Sequence, residues 1–274
     1  MILIFTEMNK LLILIASIII LSILAFVYIK KYQESEYKGL LPGQYSTKNI
    51  SRELNYRYFI PNTKGTEKLP LVIYFHGAAE RGSDNKSQLN SSSLKWVDAE
   101  IQRKYPSFVI IPQCSKQRFW VDIKFKSFPM DHYNQDKMPE ADELKLLMSL
   151  IDEFSQKYNV DTKRIYLVGF SMGSSAVWDL ITRHTEKFAA SINMAGCSDT
   201  AKAGKLVNFP IKMFNGEQDD IMPARLNTEM YNAIKRHGGN NAELTIFKGV
   251  AHVCVDNAYE TPGLFDWLFS QRKK

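Results

Sequence analysis

The chain has 274 residues, 45% of them hydrophobic and 23% charged, which is enough for one α/β domain with a large core or at most two small ones. These proportions exclude a disordered or low-complexity chain, and no internal repeat is present. The formal charge of +6 is scattered, apart from Lys30-Lys31 and Arg272-Lys273-Lys274, so no nucleic-acid groove and no nucleic-acid partner is expected. Cys114, Cys197 and Cys254 are odd in number and far apart. They make neither a disulfide framework nor a C-x-x-C metal pattern, and at most one pair could bridge in an oxidising compartment.

The first sharp feature along the chain is Leu11 to Ile29, uncharged and almost wholly apolar, between Lys10 and Lys30-Lys31. A run of that length at about 1.5 Å per residue reaches roughly 28 Å, close to the hydrocarbon thickness of a bilayer. It exceeds a usual signal-peptide core, and no Ala-x-Ala-like site follows it. These features predict an uncleaved single-pass membrane anchor with a polar tether over residues 1–37, and a folded domain over 38–274. Positive charge is greater after the run (Lys30, Lys31, Lys38) than before it (Lys10), which nominally holds the domain in the cytoplasm. The short N-terminal region with a long apolar stretch is also that of an export anchor, and the expectation leans to a domain outside the cytoplasm.

Beyond the tether, Tyr56-Arg57-Tyr58-Phe59-Ile60, stopped by Pro61, reads as an antiparallel edge strand. Short apolar runs follow at Leu71–Phe75, Phe108–Ile111, Ile165–Val168, Ile192–Met194, Ile211–Phe214 and Leu244–Phe247. Runs of this kind suit strands buried on both faces of a parallel sheet. Helical spacing recurs between them. Leu144, Leu147, Met148, Ile151 and Phe154 form one apolar stripe, with Asp142-Glu143 in the first turn. Leu226, Met230, Tyr231 and Ile234 form another, closed by Gly238-Gly239. Leu264, Trp267 and Leu268 suggest a C-terminal helix. Alternation of this sort predicts a doubly wound, mostly parallel α/β sheet with no second domain inside it.

Gly169-Phe170-Ser171-Met172-Gly173 joins the run Ile165–Val168 to the helix-like Ser174–Trp178. Strand, sharp turn and helix are the context in which a serine hydroxyl projects clear of a sheet. A serine needs a base, an acid to orient that base, and donors for the oxyanion. In this fold the chain order is Ser, then Asp or Glu, then His. After Ile211–Phe214 comes Asn215-Gly216-Glu217-Gln218-Asp219-Asp220, and after Leu244–Phe247 comes Lys248-Gly249-Val250-Ala251-His252. Both loops leave the carboxyl end of a strand, where catalytic groups of open α/β sheets belong. The loop His76-Gly77-Ala78-Ala79-Glu80-Arg81-Gly82 leaves a third. Its Ala78 N–H, with that of Met172, is the candidate oxyanion hole.

Taken together these segments resemble the α/β-hydrolase superfamily, in the branch of small bacterial carboxylesterases, dienelactone-hydrolase-like proteins and polyhydroxybutyrate-depolymerase-like esterases. The resemblance rests on His76–Asn85, Pro112-Gln113-Cys114 with Trp120, Asp161–Tyr166 leading into the elbow, Gly216-x-x-Asp219-x-x-x-Pro223, and His252. It covers roughly Tyr56 to Gln271. It implies an α/β-hydrolase fold and a serine carboxylesterase with Ser171 as nucleophile, His252 as base and Asp219, rather than Asp220, as the orienting acid. No cofactor and no metal is required, and the substrate is a small-molecule, carbohydrate or lipid ester. The chain departs from the family pattern at Ser174, where a glycine is common, and at Val253-Cys254-Val255 after the histidine. A peptidase of the prolyl-oligopeptidase type shares such an elbow, although no propeller is present here to screen peptides, and a silent binding module is a further alternative. His76, Glu80 and Arg81 are expected to brace their loop, the latter two as an ion pair, and the long stretch Asp122–Glu140 to roof the acyl pocket.

Overall fold

The computed structural model describes residues 15–24, 37–63, 65–121 and 129–273. Two compact units are present, Met1–Leu40 and Leu41–Lys274. In the first, the described helix covers 15–24. Among the described residues no helix is long and apolar enough to cross a membrane. The expected single-pass anchor, the membrane partner and the placement of the domain outside the cytoplasm are corrected accordingly. Positions 11–14 and 25–29 of the apolar run, and 30–36 of the tether, lie outside the described residues.

The second unit is built on one sheet of eight strands in the order β1-β2-β4-β3-β5-β6-β7-β8. They are β1 (Leu41–Thr47), β2 (Ile50–Phe59), β3 (Leu69–Phe75), β4 (Phe108–Gln113), β5 (Val160–Phe170), β6 (Ala190–Met194), β7 (Ile211–Gly216) and β8 (Ala242–Phe247). β1 and β2 pair antiparallel, as do β2 and β4, and every other pair is parallel. The strand expected around Tyr56–Ile60 is therefore not an edge. β2 is covered by β1, whose sequence Leu-Pro-Gly-Gln-Tyr-Ser-Thr is half-exposed and interrupted by Pro42, which an edge strand tolerates.

Helices cover both faces because successive side chains of a strand point to opposite sides. Leu71, Ile73 and Phe75 of β3 pack in one cluster with Leu144, Leu147 and Ile151 of α1 (Asp142–Lys157), Ala176 and Leu180 of α2 (Met172–Arg183), and Met230 and Ile234 of α3 (Ala224–Arg236). The alternate residues Val72 and Tyr74 are equally buried outside that cluster. On the second face, Trp96 meets Tyr259 and Phe265 at ring separations of 5.8 and 5.4 Å, and Tyr166 meets Phe269 of α4 (Leu264–Ser270) at 5.6 Å. Each apolar side chain removed from water in this way contributes about 1.5–3 kcal/mol before its entropy cost.

One cross-strand pair fixes the β1–β2 hairpin. Gly43 lies opposite Tyr56 in the register, and a Cβ on Gly43 would stand 2.3 Å from the Tyr56 ring. The ring fills the place of the absent side chain. Gly43→Val should therefore destabilise the domain by about 1–3 kcal/mol through overpacking, read as a lower urea midpoint at unchanged slope. An unaltered midpoint would mean that Tyr56 repacks at no cost.

Candidate active site

β5 ends at Phe170 and α2 begins at Met172, so Ser171 alone makes the turn, with φ 56° and ψ −121°. Such a backbone is strained for a residue with a Cβ and persists only where its surroundings over-determine it. Here the surroundings are close backbone contacts. A Cβ on Gly169 would lie 2.3 Å from the Gly173 carbonyl oxygen, and a Cβ on Gly173 would lie 2.1 Å from that of Phe75. Both positions of the G-x-S-x-G pattern are glycine because the helix starts directly against the ends of β3 and β5. The Ser171 N–H donates to the Met194 carbonyl at 2.9 Å, and the Ser171 carbonyl accepts from Ser175 N–H at 3.2 Å.

The two other loops meet the elbow. Gln218 N–H donates to the Val250 carbonyl and Glu217 N–H to the Phe247 carbonyl, each at 2.9 Å, which ties the loop after β7 to the loop after β8. His252 Nε2 lies 2.9 Å from Ser171 Oγ, and His252 Nδ1 lies 2.8 Å from Asp219 Oδ2. The Asp219 side chain is fully buried, and Asp220 beside it is exposed. A carboxylate only accepts, so Nδ1 carries the proton and Nε2 is left to accept from the serine hydroxyl. Phe170 packs its ring 5.0 Å from the imidazole.

Asp219 is held by more than the histidine. Its Oδ1 accepts from Ile221 N–H at 3.0 Å and Met222 N–H at 2.8 Å, and its Oδ2 also accepts from Asn215 Nδ2 at 3.2 Å. Asn215 donates further to the Met222 carbonyl and accepts from Asn227 Nδ2 at 2.9 Å. Sequence reasoning missed both asparagines. An Asn at a strand end beside Gly216 reads as turn chemistry, and only its position directly before the acid loop hinted at this contact.

Ser171, His252, Ala78 and Met172 line one cavity of about 520 Å³, whose remaining wall includes Phe119, Phe170, Met222 and Val253. Met172 is the first residue of a 12-residue helix, so its N–H has no partner within the helix and the helix dipole adds positive potential there. The loop after β3 is braced as expected of His76. This fully buried ring donates from Nδ1 to the Gly77 carbonyl at 2.6 Å and accepts at Nε2 from Cys114 N–H at 3.0 Å. Burial holds its pKa down at about 4.

Glu80 and Arg81 do not form the expected ion pair. Arg81 Nε donates to the Ala78 carbonyl at 2.9 Å, Nη1 donates to the Arg118 carbonyl at 3.1 Å, and the guanidinium lies 4.3 Å over the Phe119 ring. Glu80 Oε1 accepts from Asn90 instead. Adjacent side chains on a turning loop point apart, so neighbours in sequence did not become partners.

Of the stretch expected to roof the pocket, Phe125 and Phe128 lie outside the described residues. Met130 and Tyr133 are buried, and Met130 N–H donates to the Ile221 carbonyl at 2.9 Å. Neither is among the residues that line the cavity. All three cysteines are free and buried. Burial pushes the Cys254 thiol, two residues from His252, up to about 12 and that of Cys197 up to about 11, so neither supplies a thiolate near neutral pH.

A mostly parallel sheet with a serine elbow, and with His and Asp loops leaving later strands, defines an α/β hydrolase. Residues 126–261 match the Dienelactone hydrolase family model. A thermostable esterase of known structure superposes with a TM-score of 0.77 at 28% identity, over 85% of this chain and 63% of its own. The chain is 25% identical over 203 residues to acyl-protein thioesterase 1 of Candida albicans, covering 69% of this chain and 87% of the thioesterase. It is 36% identical over 73 residues, 27% of its length, to a bifunctional acetylxylan esterase/xylanase of Neocallimastix patriciarum, of which it spans 11%.

The buried His76 ring makes stability depend on pH. Unfolded, it titrates near 6.5, and folded, near 4. Its contribution is complete above pH 6.5. Below that the unfolded chain takes up a proton that the folded protein refuses, so stability falls as pH drops, by up to about 3 kcal/mol near pH 4. Urea midpoints measured at pH 7 and pH 5 should differ more in the native protein than in His76→Gln. An equal pH response in the two would remove His76 from this role.

Proposed function

We propose that the protein is a carboxylic-ester hydrolase working through an acyl-enzyme, with Ser171 as nucleophile, His252 as general base and Asp219 as the orienting acid. The observation that carries this reading is the continuous hydrogen-bonded chain from Ser171 Oγ through His252 to Asp219, at 2.9 and 2.8 Å, opening on a cavity with apolar walls. His252 Nε2 takes the hydroxyl proton as Oγ attacks the ester carbonyl carbon. The tetrahedral oxyanion accepts hydrogen bonds from the Ala78 and Met172 amides. His252 then gives its proton to the leaving alkoxide and an acyl-Ser171 ester remains. Water, deprotonated by the same imidazole, attacks that ester and restores the serine. The esterase and thioesterase names of the relatives support acyl transfer from oxygen or sulfur to water.

A fluorophosphonate probe should label the native protein and fail to label Ser171→Ala. Groups of a triad act as a unit, so Ser171→Ala and His252→Ala should each lower kcat on an aryl acetate by about 10⁶-fold, and the double variant little further. Labelling that persists in Ser171→Ala would move the nucleophile elsewhere.

The adjacent aspartates should separate sharply. Asp219→Asn turns an amide NH2 toward both His252 and Asn215 and favours the wrong imidazole tautomer, so kcat should fall by about 10³–10⁴-fold with the fold intact. Asp220→Asn removes an exposed charge and should cost less than about tenfold. Steady-state kinetics with the reverse ranking would assign the acid to Asp220.

Ala78→Pro deletes one proposed oxyanion donor and should lower kcat by about 10²–10³-fold, with circular dichroism unchanged. A folded variant with native kcat would place that donor at another residue.

A further inference from the structure

Among the described residues, a cavity larger than the one that holds Ser171 lies elsewhere in the domain. A second cavity of about 730 Å³ lies at the β1–β2 edge of the sheet, lined by Gln44 and Ser46 of β1, Ser51 and Asn55 of β2, Gln117, and Glu143 of α1, among others. We infer that this groove binds a neutral polyhydroxylated chain, the carbohydrate portion of the substrate. The inference rests on the proposed ester hydrolysis for its place in turnover, but not for the binding itself.

The lining chemistry selects the ligand. Amide and hydroxyl side chains each offer both donors and acceptors, as sugar hydroxyls do. Ile50 is the one large apolar side chain of the lining, so an acyl tail gains little there. An anionic ligand would meet the carboxylates of Glu53 and Glu143 against the single cation Arg52, whose Nε already faces Asp142 at 3.7 Å. The cavity volume falls in the range of small-ligand sites.

Glu143 adds an observation independent of composition. The residue is 4% exposed, yet its carboxylate is short of donors. Oε1 faces Arg118 Nε at 3.6 Å, and buried Oε2 has no partner. A buried carboxylate oxygen that finds no donor among the described residues is costly, and sugar hydroxyls are donors. The walls are held in place before any ligand arrives. Gln44 Nε2 donates to Asn55 Oδ1 at 3.2 Å, and Asn55 Nδ2 donates to the Ser83 carbonyl at 3.2 Å.

The chain segments that line the reacting centre run straight on into the lining of the groove, which gives the groove its role. Gly77 to Arg81 line the cavity of Ser171 while Gly82 and Ser83 line the groove, and Phe119 lines the first while Ser115 and Gln117 line the second. The division falls between consecutive residues, Arg81 and Gly82, whose Cα atoms are about 3.8 Å apart. An ester acyl group in the apolar cavity therefore has its alcohol side next to a polar trough.

The test uses the full chain carrying Ser171→Ala, titrated with xylotetraose by calorimetry. Saturable binding is expected. Gln44→Ala and Gln117→Ala, added singly, should each weaken it by about 3- to 10-fold, the loss of one neutral hydrogen bond. On the Ser171 background the same two substitutions should raise KM for acetylated xylo-oligosaccharides by a similar factor. They should leave kcat/KM for 4-nitrophenyl acetate, whose aryl group offers the groove no hydroxyls, within about twofold. No binding of xylotetraose, or binding that both substitutions leave unchanged, overturns the inference. If the native chain hydrolyses neither ester, the catalytic reading fails and the calorimetric arm alone decides the groove.

Discussion

The start of α2 is pressed against the carboxyl ends of β3 and β5 with no room for a side chain at Gly169 or Gly173, and much else in the domain follows from that contact. A helix that begins so close cannot be approached by a relaxed chain, so the residue between strand and helix takes the strained turn at Ser171. The same closeness puts the first amide of α2 beside the Ser171 hydroxyl and aims the helix dipole at the cavity. It also buries the helix almost completely, with Met172 to Thr182 all buried. Strain at one residue is offset by the packing of eleven others. The nucleophile candidate sits on the stiffest part of the molecule rather than on a loop that must be held.

The loops that carry Asp219 and His252 obey a different logic. Neither is rigid by packing alone, and each is secured by hydrogen bonds across the gap between β7 and β8. Asp219 receives donors from its own loop, from Asn215 and from His252, so each carboxylate oxygen is satisfied inside a water-excluded pocket. A buried charge is tolerable only when paired and hydrogen-bonded in this way. Asp220, one residue on, lacks that enclosure and faces solvent.

The parallel strands β3 to β8 were legible because burial on both faces leaves continuous apolar runs, and the three loops that meet at the site were legible because each directly follows such a run. β1 was not, since a half-exposed edge strand carrying Pro42 and Gly43 has neither an apolar run nor strong strand propensity. Without β1, β2 read as the edge. The Leu11–Ile29 run illustrates the converse error. Apolarity alone suggested a span, whereas among the described residues no helix is long and apolar enough to cross a membrane. Asn215 and Asn227 were invisible because their role exists only when β7 and α3 are brought together. The polar groove was equally hidden, since its lining is gathered from β1, β2, the loop after β4 and the start of α1, and no local pattern joins them.

Consider finally the bonds that Asp219 makes within its own loop. Three of its four donors come from residues between Asn215 and Met222, a segment shorter than many surface turns. The carboxylate is thus fixed by a short cassette, steadied from outside at Asn215 by Asn227, and presented to the histidine. Such a cassette is portable. Spliced onto the end of a neighbouring parallel strand, it would carry its own internal bonding with it and ask of the new site an imidazole within reach and an amide partner for Asn215. A carboxylate built this way can be moved without rebuilding the serine turn.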